Sequence, residues 1–506
     1  MAEAPLTRSM RRYAWAAAPA AGAATVLGFA PFGLAPVPLF TLALLFWLWR
    51  DADPGRAFRL GYLFGLGLLG LGVSWVHISI AQFSGGGIVL AWLITAALVG
   101  FMALFYGAAG WLGARATTDP AWRLILAFPG AWVLAEWVRG WFLTGFPWLS
   151  LGYSQVDSPV AGFAPVLGVF GVGGVLALSA GLTVWMLTRA CGPRWWAAAA
   201  LAGLWLGGAA LRAVDWTLPA GDPFRVSMIQ GNVTPDRKWD PALFTPTLDV
   251  YRGLTRDNWD SRLIIWPETA VPAFAHQVED RLLGPMEREA RARGTDLLIG
   301  IPVSDPHDGR YFNAMLALGP ERASYFKRHL VPFGEFVPLR ALFAPLGEAL
   351  DIPMSDFSPG DGARPLVPLA GYHAAVSICY EDAFGEETIE ALPEAAFLVN
   401  ASNDAWFGDS LAPHQHLEIA RVRSQETGRF MLRATNTGIS AVIDDKGRVL
   451  ERSPMFQRHV LSAEVVPMQG ATPYVWMGNA GAVLLGLVGL AGALALDRRH
   501  RRPQRA

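Results

Sequence analysis

Cys379 is one of only two cysteines among 506 residues, and it ends an apolar run, His373-Ala-Ala-Val-Ser-Ile-Cys379-Tyr380-Glu381-Asp382. Upstream lie Glu268, in Trp266-Pro267-Glu268-Thr269-Ala270, and Lys327, in Tyr325-Phe-Lys327-Arg-His-Leu-Val-Pro-Phe-Gly-Glu335. A thiol, a carboxylate and an amine, each beside a strand-like apolar run, are the parts of covalent acyl transfer. The thiolate attacks a carbonyl, the carboxylate moves protons, and the ammonium steadies the oxyanion and favours the thiolate. Taken singly, each has a plainer use. A free cysteine is commonly a small buried filler, and a strand-end Glu or a lone Lys is commonly a solvated charge. Pro267 and Trp266 beside Glu268 point to a held, partly desolvated group instead.

These residues sit in a chain that is 53% hydrophobic and 16% charged, with net charge −1. That composition argues for membrane spans, and it gives no basic field for nucleic acid. Charges are sparse before residue 213, dense from about 221 to 466 and nearly absent from 473 to 496. Apolar runs suited to a bilayer, about 20 residues each, occur at 13–31, 35–49, 57–80, 87–113, 122–143, 160–187, 194–212 and 474–496. Prolines 19, 31, 36 and 38 interrupt the first two. With eight spans, the clusters Arg8/Arg11/Arg12, Arg50/Arg56/Arg59, Arg115/Arg123, Arg189/Arg194 and Arg498–Arg502 all fall on one side. Loops 81–86 and 144–159 carry no Lys or Arg. The positive-inside rule then puts both termini in the cytoplasm and the polar domain outside. The expected domains are a bundle at 1–212, a polar domain at 213–472 and a last span with a basic tail at 473–506. Cys191 falls at the cytoplasmic end of a span and cannot pair with Cys379, which leaves Cys379 a lone thiol in an oxidising compartment.

Within 213–472, strand-like runs begin at Phe224, Arg262, Asp296, Tyr311, Ala374 and Ala396, and helical patterns cover 277–293 and 413–428. A hairpin at 438–449 turns on Asp444-Asp445-Lys446-Gly447. Such alternation indicates an α/β sandwich, with sites where strands end. Glu268 and Cys379 both lie at strand ends.

The segments WPET, KRHLVPFGE and CYE, in that order, resemble the carbon–nitrogen hydrolase (nitrilase) superfamily. Set between an N-terminal bundle of spans and a C-terminal span, and preceded by Gln230-Gly-Asn-Val and Lys238-Trp239-Asp240, they resemble the apolipoprotein N-acyltransferase family. The resemblance implies a polytopic α-helical bundle plus an external αββα sandwich, working in a bacterial inner membrane and facing the periplasm. It implies an enzyme that takes an acyl chain from a phospholipid (phosphatidylethanolamine is the expected donor), holds it as a thioester on Cys379, and passes it to the α-amine of a diacylglyceryl-cysteine. No cofactor or metal and a monomeric state are expected. By the same resemblance Glu335 is the second glutamate, orienting Lys327; Tyr380 and Glu381 shape the pocket; Trp239 is the tryptophan at the domain entrance. Asn313 and Asn403 are further polar candidates.

Three readings rest on the residues alone. Glu136 and Arg139 share a face of the fifth span, where charge is costly unless paired or functional; Arg139 suits a phosphate headgroup, and a Glu–Arg pair accounts for both residues equally. Trp148, in Gly145-Phe-Pro-Trp148, suits a lipid entrance or an aromatic belt. Segment 337–368, apolar and rich in Pro and Gly, suits an arm that dips into lipid, or a buried insertion. HExxH, GxSxG and P-loop patterns are absent from the sequence, which disfavours metalloprotease, serine-hydrolase and nucleotide chemistry. A transporter would leave the polar domain's motifs unexplained. A membrane-tethered amidase giving the acyl group to water stays open, because the motifs do not distinguish water from an amine.

Overall fold

The computed structural model describes residues 5–83, 87–188, 194–234, 238–336, 356–362 and 364–501. Two compact units emerge. One comprises the chain up to His77, Val89–Val214 and the chain from Met477 onward; the other comprises Ile78–Ile88 and Asp215–Trp476.

The first unit is helical. Helices cover each apolar run of the sequence: Pro5–Thr25, Pro36–Trp49, Pro54–Gly72, Gly87–Ala116, Pro120–Arg139, Ala164–Thr188, Trp195–Arg212 and Ala480–Arg501. Four are long and apolar enough to cross a membrane, or five when Pro54–Gly72 and the helix after it count as one broken span. The expected eight exceed this because Pro36–Trp49 is short, prolines cut the first two runs, and the 18-residue helix Trp195–Arg212, with its glycines, tryptophans and Arg212, falls short of the apolarity a span needs. Helices Pro5–Thr25 and Pro54–Gly72 touch backbone to backbone: a Cβ on Gly67 would lie 2.0 Å from the Pro19 carbonyl oxygen, so no larger residue fits. Arg123 donates to the carbonyls of Arg50, Ala52, Ala114 and Thr117. Thr117 and Thr118 bond Asp497 beside Arg498. Three of the basic clusters therefore meet at one end of the bundle.

The second unit is built on two six-stranded sheets. A short ribbon pairs β1 (Thr217–Pro219) with β14 (Met468–Gly470). The first sheet contains β2 (Phe224–Gln230), β3 (Leu263–Ile265), β4 (Asp296–Ser304), β5 (Tyr311–Leu318), β6 (Ala323–Phe326) and β13 (His459–Val465), in the order β13-β2-β3-β4-β5-β6. The second contains β7 (Leu366–Leu369), β8 (Tyr372–Ile378), β9 (Phe397–Ser402), β10 (Met431–Thr435), β11 (Ala441–Ile443) and β12 (Val449–Arg452), in the order β12-β11-β10-β9-β8-β7. In each sheet three central strands run parallel and the flanking ones antiparallel.

Strand alternation decides which side chains meet. Val226, Met228, Leu263 and Ile265 from the first sheet share a core with Val376, Ile378, Phe397 and Val399 from the second. Ile229, Ile264, Leu297 and Ile299 face the opposite way and pack with Leu248 of helix Phe244–Arg256 and Met286 of helix Gly284–Arg293. On the far side of the second sheet, Leu398 and Met431 pack with Leu417 and Ala420 of helix Ala412–Thr427. The layers are helix, sheet, sheet, helix, as a period-two burial pattern on both sheets requires.

Candidate active site

Three chain segments leave strands of the two sheets, β3 and β6 in the first and β8 in the second, and deliver the acid, the amine and the thiol. Glu268 follows β3 by way of Trp266 and Pro267. The Trp266 indole is buried and donates to Thr255 Oγ1 at 2.9 Å. Gly300 on β4 lets this turn seat against the sheet, since a Cβ there would lie 2.1 Å from the Pro267 carbonyl oxygen. Lys327 leaves β6 with its N–H donating to Asn313 O at 2.8 Å. Cys379 ends β8.

The side chains converge. Lys327, 1% exposed, holds its Nζ 2.9 Å from Glu335 and 3.7 Å from Glu268 Oε1. Asn313 Nδ2 donates to Glu268 Oε1 at 2.7 Å and to Glu335 Oε1 at 3.1 Å. Glu335 Oε2 also accepts from the Val331 N–H at 2.8 Å. Two carboxylates thus share one ammonium and one amide.

Burial sets the protonation states. It pushes the Glu268 carboxyl up, Lys327 opposes it and Glu335 adds to it; the net direction is upward. For Lys327 burial acts downward, but Glu335, Glu268 and the thiol together raise it well above the ordinary lysine value, so it stays an ammonium. Burial also pushes the Cys379 thiol up; the Glu268 charge adds to this and Lys327 opposes it. At rest the sulfur carries its proton and needs a base. Glu268, whose charge is felt at the thiol and whose proton affinity is raised, suits that task.

Cys379 has φ of +52°, in the left-handed region that non-glycine residues avoid at a cost of roughly 1–2 kcal/mol. Its carbonyl accepts from Asn400 Nδ2 at 3.0 Å and faces His416 Nε2 at 3.2 Å, so the turn is held by side chains behind it.

The other expected site residues have surroundings of their own. Glu381 is wholly buried and accepts from the N–H groups of Ile378, Arg328 and His329 and from the Tyr325 hydroxyl. It ties the cysteine turn to the chain after Lys327, and its oxygens are spent on that brace. Tyr380 is nearly buried against Phe384 and His329. Trp239 is 41% exposed. In the helical unit Arg139 is buried and donates to the carbonyls of Phe146 and Trp148 and to Ser150 Oγ, while Glu136 accepts from the Leu151 N–H. No Glu136–Arg139 ion pair forms among the described residues. The headgroup reading of Arg139 gives way to a brace of the 146–151 loop. Trp148 is buried against Trp75 and Phe146. Leu342, Phe343, most of the segment 337–368 and Cys191 lie outside the described residues.

Two features escaped the sequence reading. Lys238 is buried, its Nζ has no hydrogen-bond partner among the described residues, and burial lowers it to about 8 against the pull of Glu268. His416 belongs to a buried charge cluster behind Cys379; among the described residues no group of His, Cys, Asp and Glu is set to hold a metal ion.

Residues 21–182 match the family described as the apolipoprotein N-acyltransferase N-terminal domain, and residues 225–474 match carbon-nitrogen hydrolase. An apolipoprotein N-acyltransferase of Methylococcus capsulatus is 51% identical over 470 residues, covering 92% of this chain and 93% of that one. The one from Nitrosomonas europaea is 47% identical over 489 residues, covering 95% and 97%. Among solved structures, Nit3 of Saccharomyces cerevisiae, of the nitrilase superfamily, is 16% identical with a TM-score of 0.36, covering 49% of this chain and 91% of that one. The matches run nearly end to end and join a bundle of apolar helices to a carbon–nitrogen hydrolase unit: the chain belongs to the apolipoprotein N-acyltransferase family.

Proposed function

We propose that this membrane enzyme moves an acyl chain from a phospholipid, through a thioester on Cys379, to the α-amine of a diacylglyceryl-cysteine. The observation that carries the reading is the buried ammonium of Lys327 shared by Glu268 and Glu335, with the Cys379 thiol within its field.

Glu268 takes the thiol proton as sulfur attacks the ester carbonyl, and Lys327 balances the oxyanion. Collapse breaks the ester C–O bond. The lysophospholipid hydroxyl leaves with the proton from Glu268, and the acyl group stays on sulfur. The incoming amine then attacks the thioester and gives a proton to Glu268. The C–S bond breaks, the thiol is restored and the amide departs. Glu335 holds Lys327 and keeps it charged throughout. Trp239 and Tyr380 would border the acyl pocket.

The meeting of three basic clusters at one end of the helical unit supports an eight-span arrangement with that end cytoplasmic and the catalytic unit periplasmic, in an inner membrane. Phosphatidylethanolamine is the proposed donor, and a monomer suffices because one chain supplies all the catalytic groups. The segment 337–368 is proposed as an apolar arm that guides the acyl chain.

Membranes carrying the protein, given acyl-labelled phosphatidylethanolamine and a diacylated lipopeptide, should move label to the lipopeptide, and Cys379→Ser should stop it. Label released only as free fatty acid would replace the transferase by a hydrolase.

A further inference from the structure

Behind Cys379 lies a second set of buried charges that the proposed chemistry does not use. His416, on helix Ala412–Thr427, sits between two carboxylates. Its Nδ1 is 3.0 Å from Asp404 Oδ1, and its Nε2 is 2.9 Å from Asp382 Oδ1 and 3.2 Å from the Cys379 carbonyl oxygen. Arg433, on β10, donates to Asp404 Oδ2 at 2.9 Å, to Asp382 Oδ2 at 3.3 Å and to Asn400 Oδ1 at 2.7 Å. Asn400, on β9, turns its amide to the Cys379 carbonyl, and Ser402 Oγ donates to Asp404 Oδ1 at 2.9 Å. Asp382, Asp404, His416, Asn400 and Arg433 are all buried.

A neutral imidazole has one N–H, and here both ring nitrogens face carboxylate oxygens. Only the imidazolium donates on both sides. With it the cluster holds two cations and two anions and closes its charge; without it one buried carboxylate stands uncompensated near the thiol. We infer that His416, held as an imidazolium between Asp382 and Asp404, is a positioning residue for Cys379, pinning its carbonyl with Asn400 and cancelling the charge beneath the sulfur. Electrostatics agree in direction. Burial and Arg433 press the imidazole down, but Asp382 and Asp404 carry it up to about 9. Burial would push Asp404 up, but Arg433 and His416 hold it well below the usual carboxylate range. The charge of Asp404 also raises the thiol, so loss of its counter-ion weakens the nucleophile.

The inference builds on Cys379 as the nucleophile, yet it is tested without acyl transfer. In a Cys191→Ser background Cys379 is the one thiol, and its alkylation by iodoacetamide can be followed in the full-length protein in detergent. His416→Gln should slow alkylation at pH 8 by at least tenfold, and His416→Gln with Asp404→Asn, which restores charge balance, should recover much of the rate. Equal rates in His416→Gln and the parent, or no recovery in the double variant, would overturn the inference. Should His416→Gln fail to fold, the parent decides: with ring-¹⁵N histidine, the His416 signal should be that of an imidazolium at pH 7.5, and a neutral imidazole there would refute it. Acyl label absent from Cys379 in the parent would instead count against the proposed function and leave this result standing.

Discussion

Both units of the protein bury a carboxylate and a cation close together in sequence or space, and they use them in opposite ways. In the helical unit Arg139 and Glu136 spend their hydrogen bonds on the backbone and hydroxyl of the 146–151 loop. In the α/β unit Lys327, Glu268 and Glu335 bond chiefly to one another and to the Asn313 amide. Charges tied to backbone fix the fold, because removing them takes away the buried hydrogen bonds that hold a loop in place. Charges tied to side chains around a thiol stay free to exchange protons. Both sets lie largely out of water; what the donors face differs.

The contrast can be broken most severely at the nucleophile. Cys379→Ser should abolish acyl-enzyme formation, a loss on the order of 10⁴-fold or more in turnover, read as label bound to protein. Lys327→Met leaves Glu268 and Glu335 without their cation and should slow thioester formation by about 10²–10³-fold with the protein still folded. Arg139→Met should act the other way. It removes charge-assisted hydrogen bonds to the 146–150 loop, each worth roughly 1.5–3 kcal/mol, lowering the thermal midpoint, while the molecules that fold keep their labelling at Cys379.

Smaller effects sharpen the comparison through pH. His416 is raised from 6.5 to about 9, so its stabilising contribution is complete below its ordinary value and fades as pH climbs through about 9. Denaturant midpoints should therefore fall on the alkaline side, and His416→Gln should flatten that limb. Glu268 is needed as a carboxylate and its proton affinity is raised, so thioester formation should fail on acidification at a pH above the ordinary glutamate value of about 4.3. Glu335→Gln removes a like charge and should move that acid limb to lower pH, measured as initial labelling rate against pH.

Much of this was legible beforehand. The runs at Phe224, Arg262, Asp296, Tyr311, Ala374 and Ala396 became β2, β3, β4, β5, β8 and β9, because unbroken apolar stretches report strands buried on both faces. The turn at Asp444–Gly447 joins β11 to β12. β13 is not among the runs that read as strands: its partner β2 lies more than two hundred residues away, and its inward Leu461, Ala463 and Val465 alternate with Ser462 and Glu464 instead of forming an unbroken apolar stretch. The helix at 412–427 reads as amphipathic, but Gln415, His416, Glu418, Arg423 and Glu426 are buried as well as its apolar face: His416 finds its carboxylates at Asp382 and Asp404, and Arg423 pairs with Glu426 on the same helix. The sequence leaves a pocket role open for Glu381, a headgroup or an ion pair for Arg139, and a lipid entrance or an aromatic belt for Trp148, for a related reason. A polar or aromatic residue beside a motif looks functional until its partners are known, and those partners are backbone groups or rings that carry no signal of their own.

The central claim is the acyl-enzyme on Cys379. Purified protein incubated with a phospholipid carrying a deuterated acyl chain, without acceptor, should gain the mass of that chain on the peptide containing Cys379, and neutral hydroxylamine should remove it. An acyl group found on another residue, or an active enzyme with no mass gain at Cys379 under single-turnover conditions, would contradict the account.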